Sequence, residues 1–442
     1  MNLLFIHCDA LHADVQQHRK WPFLKTPNID RLAAEGAVFD NAFVQYPTCV
    51  PSRGSFITGL YPQQLGIFNH SYQIPERVPT LADRLNEAGY QSVCFGRTHG
   101  QHKGFERFPN RTGVEAYGCR NTGFHADSEA ITGTFEGPIE EQHDMAAALQ
   151  FSDWLENRDD ERPFFAMVGF MAPHTPMYPP KEYDNLYDPE RMQLPDFDPQ
   201  ELDDKPEKQR WIWENRWGVH PEPVQRAIMA KYFDLCLYID ACIAQTVEAV
   251  ERKGILEDTL VAFFADHGEM LGDHGMIGKW FSLYDNVLRV PLVLRIPGKR
   301  GAGMRFKQNV ELIDLAPTAL ELLGLPPGEG LPGKSLAPLL ENPDRPHREA
   351  VFSMMETARM VRTDDWKLCV HAGRQSYGAQ YPDELFHDDE GELYDLKADP
   401  GEKRNLYHDP ECAATRWDLA RRLVEHEIKI QHELGQKGKN PH

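Results

Sequence analysis

The chain has 442 residues, enough by length for a large core and about two to three domains, with 41% hydrophobic and 26% charged residues as in an ordinary globular protein. A formal net charge of -21 argues against nucleic acid or an anionic membrane as the main partner, and requires any anionic substrate to be drawn in by a local cation. The eight cysteines are scattered with no C-x-x-C pair, so neither a zinc ribbon nor a disulfide framework is indicated, and no apolar run reaches the roughly 20 residues of a membrane span.

Leu3 to Cys8 is a continuous apolar strand ending on Asp9, with no preceding basic region or cleavage site. A cytoplasmic location follows if this is the native start; a trimmed secretion signal is compatible with the same residues. Thr26 to Asp30 opens a helix closed by Gly36. Ala37 to Val44 is the next strand, and it delivers Cys49 within a Pro-rich turn. If Ser52 then opens a helix, Arg53, four residues past Cys49, swings back over the thiol at a helix N-terminus suited to an anion. Thr80 to Ala88 is a capped helix and Gln91 to Phe95 a buried strand leading to Gly96-Arg97-Thr98-His99-Gly100. The segment from Gly104 to Gly137 is expected to form loops over the site.

Asp144 to Asn157 is a helix. Phe164 to Phe170 is a strand emptying into Ala172-Pro173-His174-Thr175-Pro176. Tyr178 to Pro223, rich in Pro, Asp and aromatics, is expected to be a long surface excursion in which Trp211, Trp213 and Trp217 pack. Val224 to Lys253 has helical periodicity. Thr259 to Ala265 is the most obviously buried strand, and it ends on Asp266-His267-Gly268. Pro291 to Ile296 is another strand, and Asp314 begins a helix closing near Gly324. Beyond Arg345 the short runs Val351 to Met354, Ala358 to Val361, Trp366 to Val370 and Glu392 to Leu396 indicate a small antiparallel sheet, followed by a terminal helix from Ala413 to Glu433. The repeated strand-then-helix order gives an α/β class: a doubly wound, mixed but mostly parallel sheet flanked by helices in residues 1–344, with an α+β subdomain in residues 345–442.

Residues that carry chemistry end at least four of these strands, and in such a fold those ends converge on one crevice. Asp9 with the pair Asp266-His267 supplies hard oxygen ligands plus one imidazole, a set that favours calcium, magnesium or manganese over zinc. Taken singly, Cys49 would be a buried structural cysteine and each histidine an ordinary hydrogen-bonding residue. Together they form a pattern.

Cys49-Val50-Pro51-Ser52-Arg53, followed by Ile57-Thr58-Gly59, resembles the C-x-P-S-R and L-T-G signature of the type I sulfatases, with Ile57 for leucine a mild departure. Asp266-His267-Gly268, Leu271-Gly272-Asp273-His274-Gly275 and Lys279 resemble the same family's D-H-G-x-x-L-G-x-H-G-x-x-x-K stretch. Gly96-Arg97-Thr98-His99 is similar to its G-K-x-H, and Pro173-His174 to its second pocket histidine. The resemblance implies the alkaline-phosphatase-like fold, hydrolysis of sulfate monoesters, and oxidation of Cys49 to formylglycine by a formylglycine-generating enzyme. It further implies one divalent cation, calcium foremost with magnesium or manganese as alternatives, held by Asp9, Asp266, His267 and the modified Cys49. Arg53 would steady the nucleophilic hydroxyl. Lys279 and His174 would bind the sulfonate oxygens, one of them protonating the leaving oxygen, and His99 would deprotonate the second hydroxyl. Arg97 joins the substrate-binding set, below His99 because it could equally be a structural ion-pair partner. Asn69, His70 and His274 are further candidates for the pocket.

Ala10 departs from the pattern, since relatives carry an acidic or amide ligand there and a methyl group coordinates nothing. The fourth ligand must be water or another residue, or the site is altered. Two alternatives therefore stand beside the sulfatase reading: a phosphonate or phosphate ester hydrolase of the same superfamily, and an inactive binding relative. The expected substrate is a small-molecule or saccharide sulfate ester. The excursion and the terminal helix are candidate contacts in a homo-oligomer.

Overall fold

The computed structural model describes residues 1–17, 20–99, 102–108, 131–279, 282–328, 330–371 and 390–437. Nine described strands form the central sheet: β1 (Asn2–Asp9), β2 (Ala37–Phe43), β3 (Gln91–Gly96), β4 (Glu106–Phe108), β5 (Phe164–Pro173), β6 (Thr259–Ala265), β7 (Arg289–Val290), β8 (Leu292–Arg295) and β9 (Arg305–Glu311). Their order is β4-β3-β5-β1-β6-β8-β2-β7, with β9 beside β2. β1 lies between β5 and β6 and runs parallel to both, and β3 runs parallel to β5. All ten residues of β5 and all seven of β6 are buried, as expected of strands covered on both faces.

One inserted strand decides where Cys49 arrives. β8 is antiparallel to β6, and β2 is antiparallel to β8, so β2 again points the same way as β6. The carboxyl ends of β1, β2, β3, β5 and β6 thus share one edge of the sheet. Helices cover the two faces, among them His143–Asn157 and the 31-residue Glu222–Arg252. Among the described residues no helix is long and apolar enough to cross a membrane.

A second sheet, β10 (Val351–Met355), β11 (Ala358–Arg362), β12 (Trp366–Val370) and β13 (Gly391–Asp395), is antiparallel throughout, and the helix Ala413–Lys437 packs on it. It is tied to the central sheet by Met354 N–H donating to the Gln45 carbonyl at 3.0 Å and Phe352 N–H to Glu311 at 2.9 Å.

Three expectations need correction. Part of the segment read as loops, Glu106–Phe108, is an edge strand; residues 109–130 lie outside the described residues. The excursion from Tyr178 to Pro223 is only partly at the surface, because Lys208, Gln209, Ile212 and Trp217 are buried. Its buried charges are paired: Lys208 Nζ lies 2.6 Å from His371 Nδ1, whose Nε2 lies 2.9 Å from Glu392, and Gln209 donates to Glu392 at 2.8 Å. A polar, Pro-rich segment can be buried where its charged groups find such partners. Finally, the helix after β2 begins at Cys49, not Ser52, and runs to Thr58. Pro51 does not interrupt it, since first-turn N–H groups have no intrahelical acceptor to lose.

Candidate active site and metal centre

The helix Cys49–Thr58 is buried along its whole length and closes on Gly59, whose φ of 73° is left-handed. Starting the helix at Cys49 puts Arg53 one turn on, on the same face. From there its guanidinium spans the ends of β1 and β6. Nε donates to Asp266 at 2.8 Å, one terminal nitrogen to Asp9 at 2.9 Å and the other to the Arg97 carbonyl at 2.6 Å. Ser52 Oγ donates to the Asp266 carbonyl at 2.5 Å, fixing the helix against β6.

The Cys49 sulfur lies 3.4 Å from Asp9 Oδ1, 3.3 Å from His267 Nε2 and 3.0 Å from Lys279 Nζ. The same ammonium is 2.8 Å from His267 Nε2 and 3.1 Å from His174 Nε2. His99 Nε2 approaches Asp9 at 3.4 Å and accepts from Arg97 Nε at 2.8 Å. Arg97 Nε is itself 3.6 Å from Asp9. The nine residues singled out by sequence therefore meet in one cluster.

Burial alone would push the Cys49 thiol up; Lys279 first, then His267 and His174, overcome it and hold it well below a free thiol. Burial works against the Lys279 ammonium, but Cys49, Asp9 and Asp266 keep it charged above its ordinary range. Burial and Lys279 likewise oppose a charge on His267, yet Asp266, Cys49 and Asp9 push it up to about 10. A metal bound at that imidazole would displace its proton.

The donors fit a divalent cation. Asp9 Oδ1 and His267 Nε2 are 3.3 Å apart, and His267 Nε2 and Asp266 Oδ1 3.7 Å apart. Ligands at about 2.3–2.6 Å from calcium and at right angles are separated by about 3.3–3.7 Å. Among the described residues, potential ligand atoms of Asp9, Cys49, His174 and His267 all lie within 4.8 Å of one another. This group takes in His174, which was expected to bind the sulfonate or protonate the leaving oxygen and was not among the expected metal ligands. Asp266 lies beside that group, its Oδ1 3.7 Å from His267 Nε2. Ala10 has a left-handed φ of 63°; its N–H donates to Asp266 Oδ1 at 3.3 Å, and its carbonyl accepts from Tyr232 at 2.9 Å. The position orients a ligand through its backbone.

His274 does not join the cluster. Its ring stacks on Tyr284 at 3.8 Å, and burial, then Lys205, lowers it to about 3. His70 sits at the rim, 6.0 Å from the His99 ring, and Asn69 closes a turn by accepting from Ser71 N–H at 2.8 Å. Trp217 is buried and Trp213 packs against Phe197, consistent with a packing role for the tryptophans.

Two carboxylates not singled out by sequence shape the site. Asp144 accepts from Met171 N–H at 2.6 Å and Ala172 N–H at 3.0 Å, holding the turn that carries His174. Glu269, fully buried, accepts from Leu271 N–H at 3.2 Å and from Gly278 N–H, and so closes the loop whose next residue is Lys279. Glu269→Ala is expected to lower kcat/KM by about 10–100-fold, as loss of outer supporting partners does. Glu269→Gln keeps the acceptor oxygen and should stay within about threefold. In a Lys279→Ala background the alanine change should cost little more, a non-additivity that double-variant kinetics would read. Full additivity would separate Glu269 from Lys279.

A mixed sheet whose strand ends gather two buried carboxylates, an imidazole and a buried cysteine under an arginine is the arrangement expected of an alkaline-phosphatase-like hydrolase. The fold agrees: the phosphonate monoester hydrolase of Agrobacterium radiobacter superposes with a TM-score of 0.81, covering 97% of this chain and 96% of that one at 24% identity. The sulfatase family model matches residues 1–325, and the chain belongs to that family, whose members hydrolyse sulfate esters. The C-terminal model of N-sulphoglucosamine sulphohydrolase matches residues 272–429. The choline-sulfatase of Rhizobium meliloti is 28% identical over 92% of this chain and 83% of its own length. Human iduronate 2-sulfatase is 28% identical over 92% of this chain and 91% of its own.

Proposed function

We propose that this sulfatase hydrolyses the sulfate monoester of a saccharide or small alcohol, with a formylglycine made from Cys49 as nucleophile and one divalent cation, calcium foremost, held by Asp9, Asp266, His267 and the modified residue. The observation that carries the reading is the position of the Cys49 sulfur, between Asp9 and His267 on one side and Lys279 on the other. A bound cation lowers the pKa of a coordinated hydroxyl and polarises an ester oxygen. Once Cys49 is converted, its aldehyde hydrate would offer one hydroxyl for attack on sulfur and a second whose deprotonation would let sulfate leave.

The chain's own residues do the rest. Arg53 fixes both carboxylates so that neither turns away from the cation side. Lys279, held charged, sets a fixed positive charge where the sulfonate oxygens must lie, and the ammonium, in contact with His174 Nε2 at 3.1 Å, holds the proton that this pair would pass to the departing alcohol oxygen. His99 Nε2 accepts a hydrogen bond from Arg97 and lies 3.4 Å from Asp9, so it would take up a proton from the second hydroxyl on giving up the Arg97 bond. Saccharide sulfates gain support from relatives such as the N-acetylglucosamine-6-O-sulfatase of Bacteroides thetaiotaomicron, 25% identical over 96% of this chain.

The test is sulfate release from a panel holding a small alkyl sulfate, an aryl sulfate and mono- and disulfated saccharides, beside an aryl phosphonate. Turnover of at least one sulfate ester well above the phosphonate is expected. A faster phosphonate would replace the reading with a phosphonate ester hydrolase.

A further inference from the structure

A cavity of about 440 Å³ lies away from the hydrolytic centre, between the terminal helix, the segment leading into β10, and Tyr61. Tyr61 follows the far end of the helix that starts at Cys49, and ten helical residues span about 15 Å. The cavity is thus a separate place, of a size that holds a small ligand.

Its lining is basic in a strongly acidic protein: five lysine or arginine side chains against Glu349 and Glu425. The arginines are already engaged. Arg348 is anchored by Asp314 and, at 3.1 Å, by Glu311, and Arg422 donates to Asp418 at 2.9 Å. The lysines differ. Lys334 Nζ donates to the His347 carbonyl at 3.3 Å, and among the described residues neither Lys334 nor Lys429 has a carboxylate partner. Burial, then Arg348, lowers Lys334 against the opposing pull of Asp314 and Glu311, with Lys429 a smaller lowering influence; burial, Arg348 and Lys429 hold His426 neutral, down to about 3. Cations that suppress one another's charge mark a place where a bound anion would relieve the repulsion. The remaining wall is uncharged: Phe352 and His426 stack at 3.7 Å, with the Tyr61 ring edge-on to His426 at 4.7 Å.

We propose that this cavity is a second binding site for a sulfate oxyanion, free or esterified, in which Lys334 and Lys429 supply the unneutralised charge beside Arg348. The proposal concerns binding and does not depend on the hydrolytic reading.

The experiment uses the full chain carrying Cys49→Ala, so that nothing turns over, and measures binding of radiolabelled inorganic sulfate by equilibrium dialysis at low salt. Two sites are expected. Adding Lys334→Ala and Lys429→Ala, both at exposed positions, should weaken one of them by about tenfold or more, while Lys279→Ala weakens the other. Sulfate binding unchanged by the Lys334/Lys429 pair overturns the proposal. In otherwise native enzyme the same pair should leave hydrolysis of a small aryl sulfate unchanged. A raised KM on a sulfated tetrasaccharide would then assign the site to a sulfate group of the substrate, and an unchanged KM with lost inorganic sulfate binding would assign it to released product.

Discussion

Cys49→Ala is expected to lose sulfate ester hydrolysis by about 10⁴-fold or more, the scale on which removal of a nucleophile registers. The sulfur is buried at a helix start, and the nearest ammonium, 3.0 Å away, holds it toward the thiolate. A thiolate in that field is a good substrate for oxidation and a poor partner for a hard sulfate ester. Cys49→Ser separates these roles. Its hydroxyl can attack sulfur, but the product is a stable serine sulfate with no second hydroxyl to expel it. The serine variant should therefore release about one equivalent of alcohol, stop, and carry added sulfate on the peptide containing residue 49. Mass spectrometry of the native protein should show the same peptide with its thiol replaced by an aldehyde. Fully active enzyme with an unaltered thiol would sink the scheme, because the proposed turnover requires two oxygens on one carbon.

Much of this was legible because the strands that carry the site are buried on both faces and read as unbroken apolar runs. β1 ends on Asp9 itself, and β6 ends on Ala265 with Asp266 the next residue, as expected. β9 was not legible. Its sequence, Arg-Phe-Lys-Gln-Asn-Val-Glu, is half exposed at its start and mostly polar, and it pairs only because β2 offers a neighbouring edge. His274 misled for a different reason: it repeats the Asp-His-Gly pattern of residues 266–268, but the left-handed turn at Gly272 (φ 94°) and at His274 itself (φ 54°) turns the ring onto Tyr284. Local similarity carried no information on that turn. Glu269 and Asp144 were missed because they act through backbone N–H groups, which any sequence supplies and no spacing reveals.

Arg53→Ala should be the most informative change at the centre, because it affects stability and chemistry in ways that a cation can tell apart. The guanidinium neutralises Asp9 and Asp266, both fully buried, and its two bonds go to different strands. Removing one partner of a buried charge group costs about 3–5 kcal/mol. In chelator, the variant is expected to unfold at markedly lower denaturant than the native protein. With the guanidinium gone, the two carboxylates should bind a divalent cation more tightly, so calcium should raise the stability of Arg53→Ala by more than it raises that of native protein. Hydrolysis should nonetheless remain down by about 10³-fold with calcium saturating, since nothing replaces the donor that orients Asp9 beside the nucleophile. Arg53→Lys should recover little, because one ammonium cannot span two carboxylates and the Arg97 carbonyl as a planar fork does. If Arg53→Ala unfolded like native protein in chelator, the arginine would not be holding the carboxylates together, and the fixed geometry assigned to the metal ligands would have to come from elsewhere.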